Sequence, residues 1–426
     1  MRALPRPLRY RRPRYIRQLL VLAALAGLVA ACSSGTTSSG SSGASPKATA
    51  SQSGQASADA AGTGSISLVP QADQKYYGQW QGFSTLLADP YKSWNPPKPP
   101  WSICYNESYL GNAWREESLS EFKKLLGEFQ KLGLAKSGAP NVTNSNNSTP
   151  VELSQLDSQV SAGCQVILVD AGSPTGLCSG LKNAFEHNVL VVIEDSTVYC
   201  PYAVNVTLNT SYQSIQAAQF IANALHGKGN VVLEAGIPGI SLTNAEVQSA
   251  TSEFNKYPGI HILGTITGQW TPSIAKSAML SFITTHPQPI NGVWDSGQMD
   301  VAAEQALQQS GRPLAVVNSF SSECSFMAFW KQYHLNSSGF SGGGSPAMYE
   351  AYEVAVRMLY GAKPVVSTIM YPLPAITAAN FSQYYKPSMT LQSTCFANPP
   401  DNQAVPNSFF DSYFTGGSAV PHQPAG

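Results

Sequence analysis

Six short apolar runs in this chain are each followed at once by polar or aromatic residues. After Ser102–Tyr105 comes Asn106-Glu-Ser-Tyr109-Leu-Gly-Asn112-Ala-Trp114-Arg115, and later runs end at Asp170, Asp195, Gln269-Trp270, Asp295-Ser296 and Asn318-Ser-Phe320. Carboxylates and amides offer acceptors and donors to vicinal hydroxyls, and Trp and Tyr faces pack on the C–H faces of a sugar ring. The set therefore suits a neutral polyhydroxylated ligand. Taken singly, each residue could equally cap a helix, but recurrence at six run ends favours a shared site. The chain carries no GxSxG, HExxH or phosphate-binding glycine loop, and no His or Cys set with nucleophile–base logic. No catalytic centre and no cofactor are expected. One enzymatic alternative stays open, an exported glycosidase using Asp170 and Asp195 as a carboxylate pair.

These residues need a scaffold that brings run ends together. The runs Gln165–Val169, Val189–Ile193, Asn230–Leu233, His261–Ile266, Ile290–Trp294 and Leu314–Asn318 alternate with amphipathic stretches. Leu119, Phe122, Leu126 and Phe129 fall at helical spacing before Gly133, and Ile215–Leu225, Ile274–Thr285, Met299–Leu307 and Pro346–Tyr360 also read as helices. Thr243-Asn-Ala-Glu246 has the form of a capping box, and Ser345-Pro346 that of a helix start. Alternating strands and helices predict an α/β fold with one or two parallel, doubly wound sheets, whose ligands bind beyond the carboxyl ends of the strands.

The N-terminal segment points to export. Equal totals of 25 Lys plus Arg and 25 Asp plus Glu hide seven Arg within Met1–Ala31, and without them 18 positive charges face 25 negative ones. A mildly acidic remainder lacks the basic footprint of a nucleic-acid partner. The basic stretch is followed by Leu19–Val29, an apolar run far short of the ~20 residues of a spanning helix, so 1–31 reads as a signal peptide. Its end, Leu28-Val29-Ala30-Ala31-Cys32, resembles a bacterial lipobox, which makes Cys32 the expected lipid-anchor site on the outer face of the cell membrane. In Ser33–Ser65, 28 of 33 residues are Ser, Gly, Thr or Ala, so 32–65 is expected to be an anchor and flexible linker. Residues 66–100 form an N-terminal extension that ends in a proline-rich stop.

Six further Cys are an even number in an exported chain, which makes disulfides plausible. Cys178–Cys200 and Cys324–Cys395 are the expected bridges, with Cys104 and Cys164 as buried thiols. Their spacing and the scattered His fit no metal site.

Across about Trp101 to Lys386 the chain resembles the sugar-binding branch of the type 1 periplasmic binding proteins, the ribose-binding-protein-like receptors of ABC importers. The resemblance rests on Tyr109-Leu-Gly-Asn112-Ala-Trp114-Arg115, Val192-Ile-Glu-Asp195, Gly229-Asn-Val-Val, Lys256-Tyr-Pro-Gly-Ile260, Ile290-Asn-Gly-Val-Trp294 and the late helix before Gly361. It implies two Rossmann-like lobes joined by a hinge, 101–207 plus 345–368 and 208–344, with 369–426 as hinge return and tail. It also implies sugar contacts at Asn112, Trp114 and Asp195, with Arg115 adjacent, an aromatic contact at Trp270 and polar contacts at Ser296 and Asn318. Asn106, Tyr109, Asp170 and Asp295 complete the expected ligand set. Where the family often places an Arg after a GIPG-like turn, this chain has Glu246, and Ser249 replaces the usual Gly one turn later. A permease of an ABC importer is the implied protein partner, and a ligand-sensing subunit of a membrane receptor is the alternative role.

Overall fold

The structure is a computed structural model that describes residues 65–80 and 82–417; the expected signal peptide, Cys32 and Ser33–Gly64 lie outside the described residues. Chain order begins with β1 (Ile103–Glu107), α1 (Ala113–Lys131), β2 (Asn141–Asn144), α2 (Thr149–Ser161), β3 (Val166–Asp170), α3 (Cys178–Glu186), β4 (Leu190–Asp195) and β5 (Val204–Thr207). There follow α4 (Thr210–Ala224), β6 (Lys228–Ala235), α5 (Ser241–Phe254), β7 (Gly259–Thr267), α6 (Pro272–Thr285), β8 (Gly292–Asp295), α7 (Asp300–Gln309), β9 (Val316–Ser319), α8 (Cys324–Tyr333) and β10 (Ser337–Phe340). The chain then returns through α9 (Gly344–Leu359), β11 (Lys363–Pro364) and β12 (Thr368–Met370), and crosses again to β13 (Ala375–Ile376).

Two six-stranded sheets result, ordered β12-β5-β4-β3-β1-β2 and β13-β10-β9-β8-β6-β7. The first is parallel throughout, and the second is parallel except where β13 joins β10. The strand orders repeat one another, so each sheet has its switch point between its first and third strands (β1 and β3, β6 and β8), where connections leave to opposite faces. Burial on both faces explains why β3, Val-Ile-Leu-Val-Asp, has no exposed residue. Helix α9 is buried along its whole length, packed against α1 and β4. It begins at Gly344 with Gly343 as its cap, two residues earlier than the Ser345-Pro346 signal suggested.

Strands β2, β5, β10 and β12 were not expected. Asn-Val-Thr-Asn in β2 and Ser-Ser-Gly-Phe in β10 lack an apolar run. β2 lies at a sheet edge, where one flank need not be apolar. Three disulfides tie the fold. Cys178–Cys200 and Cys324–Cys395 are as expected, but Cys104 and Cys164 are bridged rather than free. Cys104 lies on β1 and Cys164 just before its neighbour β3, which brings their Cα atoms within 6.0 Å.

Neither terminal segment is a bare connector. Tyr77, Tyr91 and Trp94 of the extension are buried in the core of the first lobe. The tail buries Phe410 and Tyr413 in that same cluster. It is held by Glu350 on α9, whose Oε1 accepts from the amides of Ala404 and Val405 at 2.7 and 3.1 Å. Arg357 further binds the carbonyl of Asn407 at 2.7 Å and Asp411 at 2.9 Å. Phe410→Ala should therefore lower the unfolding free energy by about 3–5 kcal/mol, the usual cost of emptying a buried phenylalanine site. Denaturant unfolding measures it, and a loss below about 1 kcal/mol would show the tail to be dispensable.

Candidate binding site between the lobes

The carboxyl ends of both sheets open onto one cleft, made of two chambers that share Asn112, Arg115, Asp195, Leu242 and Trp270. Asn112 caps α1, its Oδ1 accepting from the amide of Arg115 at 3.0 Å. Capping fixes the first turn, and with it Trp114, whose Nε1 donates to the carbonyl of Gly342 at 3.0 Å. Asp195 at the end of β4 has φ of 57°, and Gln269 and Trp270 beyond β7 have φ of 56° and 51°. Non-glycine residues in left-handed backbone need surrounding structure to hold them, and here they stand on both sides of one cleft. Trp270 lies so closely over Gly236 that a Cβ at 236 would run into its indole ring.

Charge in the first lobe centres on Arg115. Its guanidinium pairs with Glu107 at 3.3 Å and with Asp170. Burial works against a charged guanidinium, but Glu107 and Asp195 outweigh it and hold the proton on. Among the described residues lining the cleft Arg115 is the one cation, and its fork is already engaged. Glu107, Asp170 and Glu194 bring carboxylate oxygens within 4.8 Å of one another, a grouping that could hold a metal ion. Arg115 already occupies that role, and Tyr105 donates to Glu107 and, at 3.2 Å, to Glu194.

Eight of the eleven expected ligand residues line the cleft: Tyr109, Asn112, Trp114, Arg115, Asp170, Asp195, Trp270 and Ser296. Asn106, Asp295 and Asn318 do not. Asn106 is buried in β1 and donates to Gln159 at 3.1 Å. Asn318 clamps the neighbouring strand, accepting from the amide of Asp295 at 3.0 Å and donating to its carbonyl at 2.8 Å. Asp295 turns inward and accepts from the amide of Gly297 at 2.9 Å. Alternation along a strand explains all three, because adjacent residues point to opposite sides.

Glu246 is the residue that sequence reasoning placed wrongly. Helix α5 already starts at Ser241, so Thr243 and Glu246 lie inside it and form no capping box. Glu246 lines the inner chamber, 2% exposed, with Oε2 lacking a hydrogen-bond partner. Burial, and then the charge of Asp195 across the cleft, push its carboxyl well above the usual range. Asp195 is itself raised by burial, against the pull of Arg115. Phe320 and Tyr371 also line the inner chamber, and Trp80 and Tyr199 the outer one. Of these only Phe320 stands directly after a recognised run.

Two lobes of like topology with polar and aromatic strand ends meeting at a cleft define a binding protein that holds a small ligand between domains. Residues 108–363 match the family described as "Periplasmic binding protein domain", and the chain belongs to that family. A xylitol-binding protein of Mycolicibacterium smegmatis is 28% identical over 171 residues, which span 40% of this chain and 49% of that relative, so the match covers about half the relative's length. An ABC transporter solute-binding protein from Thermobispora bispora has the same fold, with a TM-score of 0.61 at 22% identity over 68% of this chain and 89% of its own. So does a solute-binding protein from Bacillus halodurans with bound myo-inositol, with a TM-score of 0.59 at 14% identity over 68% and 99%. All three are binding proteins.

Buried acids give the fold a pH signature. Burial raises Glu194, Glu304 and Glu350 from 4.5 to about 8 and Glu152 to about 7. A carboxyl that is protonated when folded and ionised when unfolded contributes stability that is complete below about 4.5 and is lost as pH climbs towards about 8. The ligand-free protein should melt at a higher temperature at pH 5.5 than at pH 8, and Glu194→Gln should flatten the difference. Melting scans across that range check it; a midpoint that rises with pH contradicts the assignment.

Proposed function

We propose that this protein is the extracytoplasmic solute receptor of an ABC importer, closing its two lobes over a neutral sugar or polyol. One observation carries the reading: carboxylate, amide, hydroxyl and aromatic side chains from both lobes converge on a single cleft in which, among the described residues, the one lining cation is already ion-paired. A phosphorylated or carboxylated ligand would find no free positive charge there. A polyol finds acceptors in Asp195 and Glu246 and hydroxyl and amide partners in Ser296 and Asn112, with Trp114 and Trp270 as ring faces. The ligands of its relatives, xylitol, myo-inositol and, in a protein from Actinobacillus succinogenes, D-allose, support this class.

Closure follows from the placement of the site. A ligand held by groups on both lobes stabilises the closed form by its contacts to the second lobe, and the hinge segments take up the rotation. The closed receptor is then presented to a membrane permease, and lipidation at Cys32 keeps it near that partner. Asp170 is committed to Arg115, which leaves the glycosidase alternative without its second carboxylate.

A thermal-shift screen over sugars, polyols, nucleosides and amino acids tests the class. A ligand at 100 times its Kd adds about 2.7 kcal/mol of stability. Sugars or polyols should give the largest shift, and Trp114→Ala and Asp195→Asn should each remove it. A response confined to amino acids or nucleosides would defeat the proposal.

A further inference from the structure

We infer that the outer chamber is a second sugar subsite, so that the preferred ligand is a disaccharide or other glycoside rather than a single ring; this rests on the sugar reading above. The chamber is walled by four half-buried aromatics, Trp80, Tyr109, Tyr199 and Trp270. Three come from the two lobes. Trp80 comes from the N-terminal extension, upstream of the residues that match the family.

The extension is fastened where it enters the cleft. Asn209, the residue capping α4 at the lobe crossing, donates to the carbonyls of Tyr76 at 2.8 Å and Gly78 at 2.7 Å. Tyr77 donates to the carbonyl of Thr368 at 2.7 Å and accepts from the amide of Met370 at 3.1 Å, which makes the segment part of the first lobe's edge. Between these anchors and the chamber, Gly82 lets two rings come together: a Cβ there would stand 2.5 Å from the Trp80 ring and 2.6 Å from the Tyr199 ring. Trp80 and Tyr199 thus both pack against Gly82 at this side of the chamber.

Continuity with the inner chamber names the occupant. Both chambers share Asn112, Arg115, Asp195 and Trp270, so a ligand seated on the inner polar groups can extend past Trp270 without leaving the cleft. Flat aromatic faces beside Thr197, Ser196 and Asn147 match a second pyranose or pentose ring, apolar on its C–H faces and polar at its rim. With Arg115 ion-paired, an anionic extension such as a phosphate gains nothing.

Calorimetric titration of the full chain with xylose and xylobiose, glucose, cellobiose and maltose decides it. One disaccharide should bind about tenfold more tightly than its monomer, and Trp80→Ala should erase that advantage while leaving the monomer within about twofold. Tyr199→Ala should act in the same direction, which covers the case in which the Trp80 variant fails to fold. Monomers binding as tightly as every disaccharide, or Trp80→Ala weakening both equally, would overturn the subsite alone. No response to any sugar in this set or in the wider screen would overturn the sugar reading and the subsite with it.

Discussion

The half-buried guanidinium of Arg115 is the interaction on which the first lobe depends. Strands β1, β3 and β4 all finish in acids, Glu107, Asp170 and the Glu194–Asp195 pair, and parallel pairing sets these ends side by side. Three of those acids are fully buried, so without a cation the carboxyl edge would hold several unpaired charges in a low dielectric. Arg115 pairs with Glu107 and Asp170, while Ser118 and Tyr105 donate to Glu194. Its position is set by the Asn112 cap, so a single amide governs both the start of α1 and the electrostatics of three strand ends.

The second lobe solves the same problem in the opposite way. Glu234, Asp295, Asp300 and Glu323 are buried at the corresponding strand ends and helix starts, and among the described residues none has an ion-pair partner. Burial and mutual repulsion push Glu234, Asp295 and Asp300 well above the usual carboxylate range. In the first lobe the acids at the strand ends gather round a cation, whereas in the second they lie unpaired behind the cleft surface.

How much of this was legible in the sequence depends on what each residue must do. Strands buried on both faces announce themselves as apolar runs, and the residues after them mark the carboxyl edge, so most of the cleft could be named. Which side of the sheet a strand-end residue faces was not legible, and Asn106, Asp295 and Asn318 turned inward for that reason. Glu246 fitted a local capping pattern that the earlier start of α5 abolishes. The Cys104–Cys164 bridge required knowing that β1 and β3 are neighbours. Trp80 carried no signal, because a segment rich in loops reveals its role only through the lobe it packs on.

The tail adds a constraint on how the lobes can move. Besides the crossings after β5, β10 and β12, the chain passes between lobes once more, from Cys395, bridged to Cys324 on α8, to Ala404, bound at α9. On the way Asn398 donates to Glu117 on α1 at 3.0 Å and accepts from the amide of Gly343 at 3.0 Å. Trp114, on the same helix, binds the adjacent carbonyl of Gly342. Rotation about the hinge must therefore carry the tail with it or break these bonds, which narrows the range of opening. Trp114 is thus at once a wall of the cleft and a contact to the 340–344 crossing, so one side chain joins the site to the segment that links the lobes.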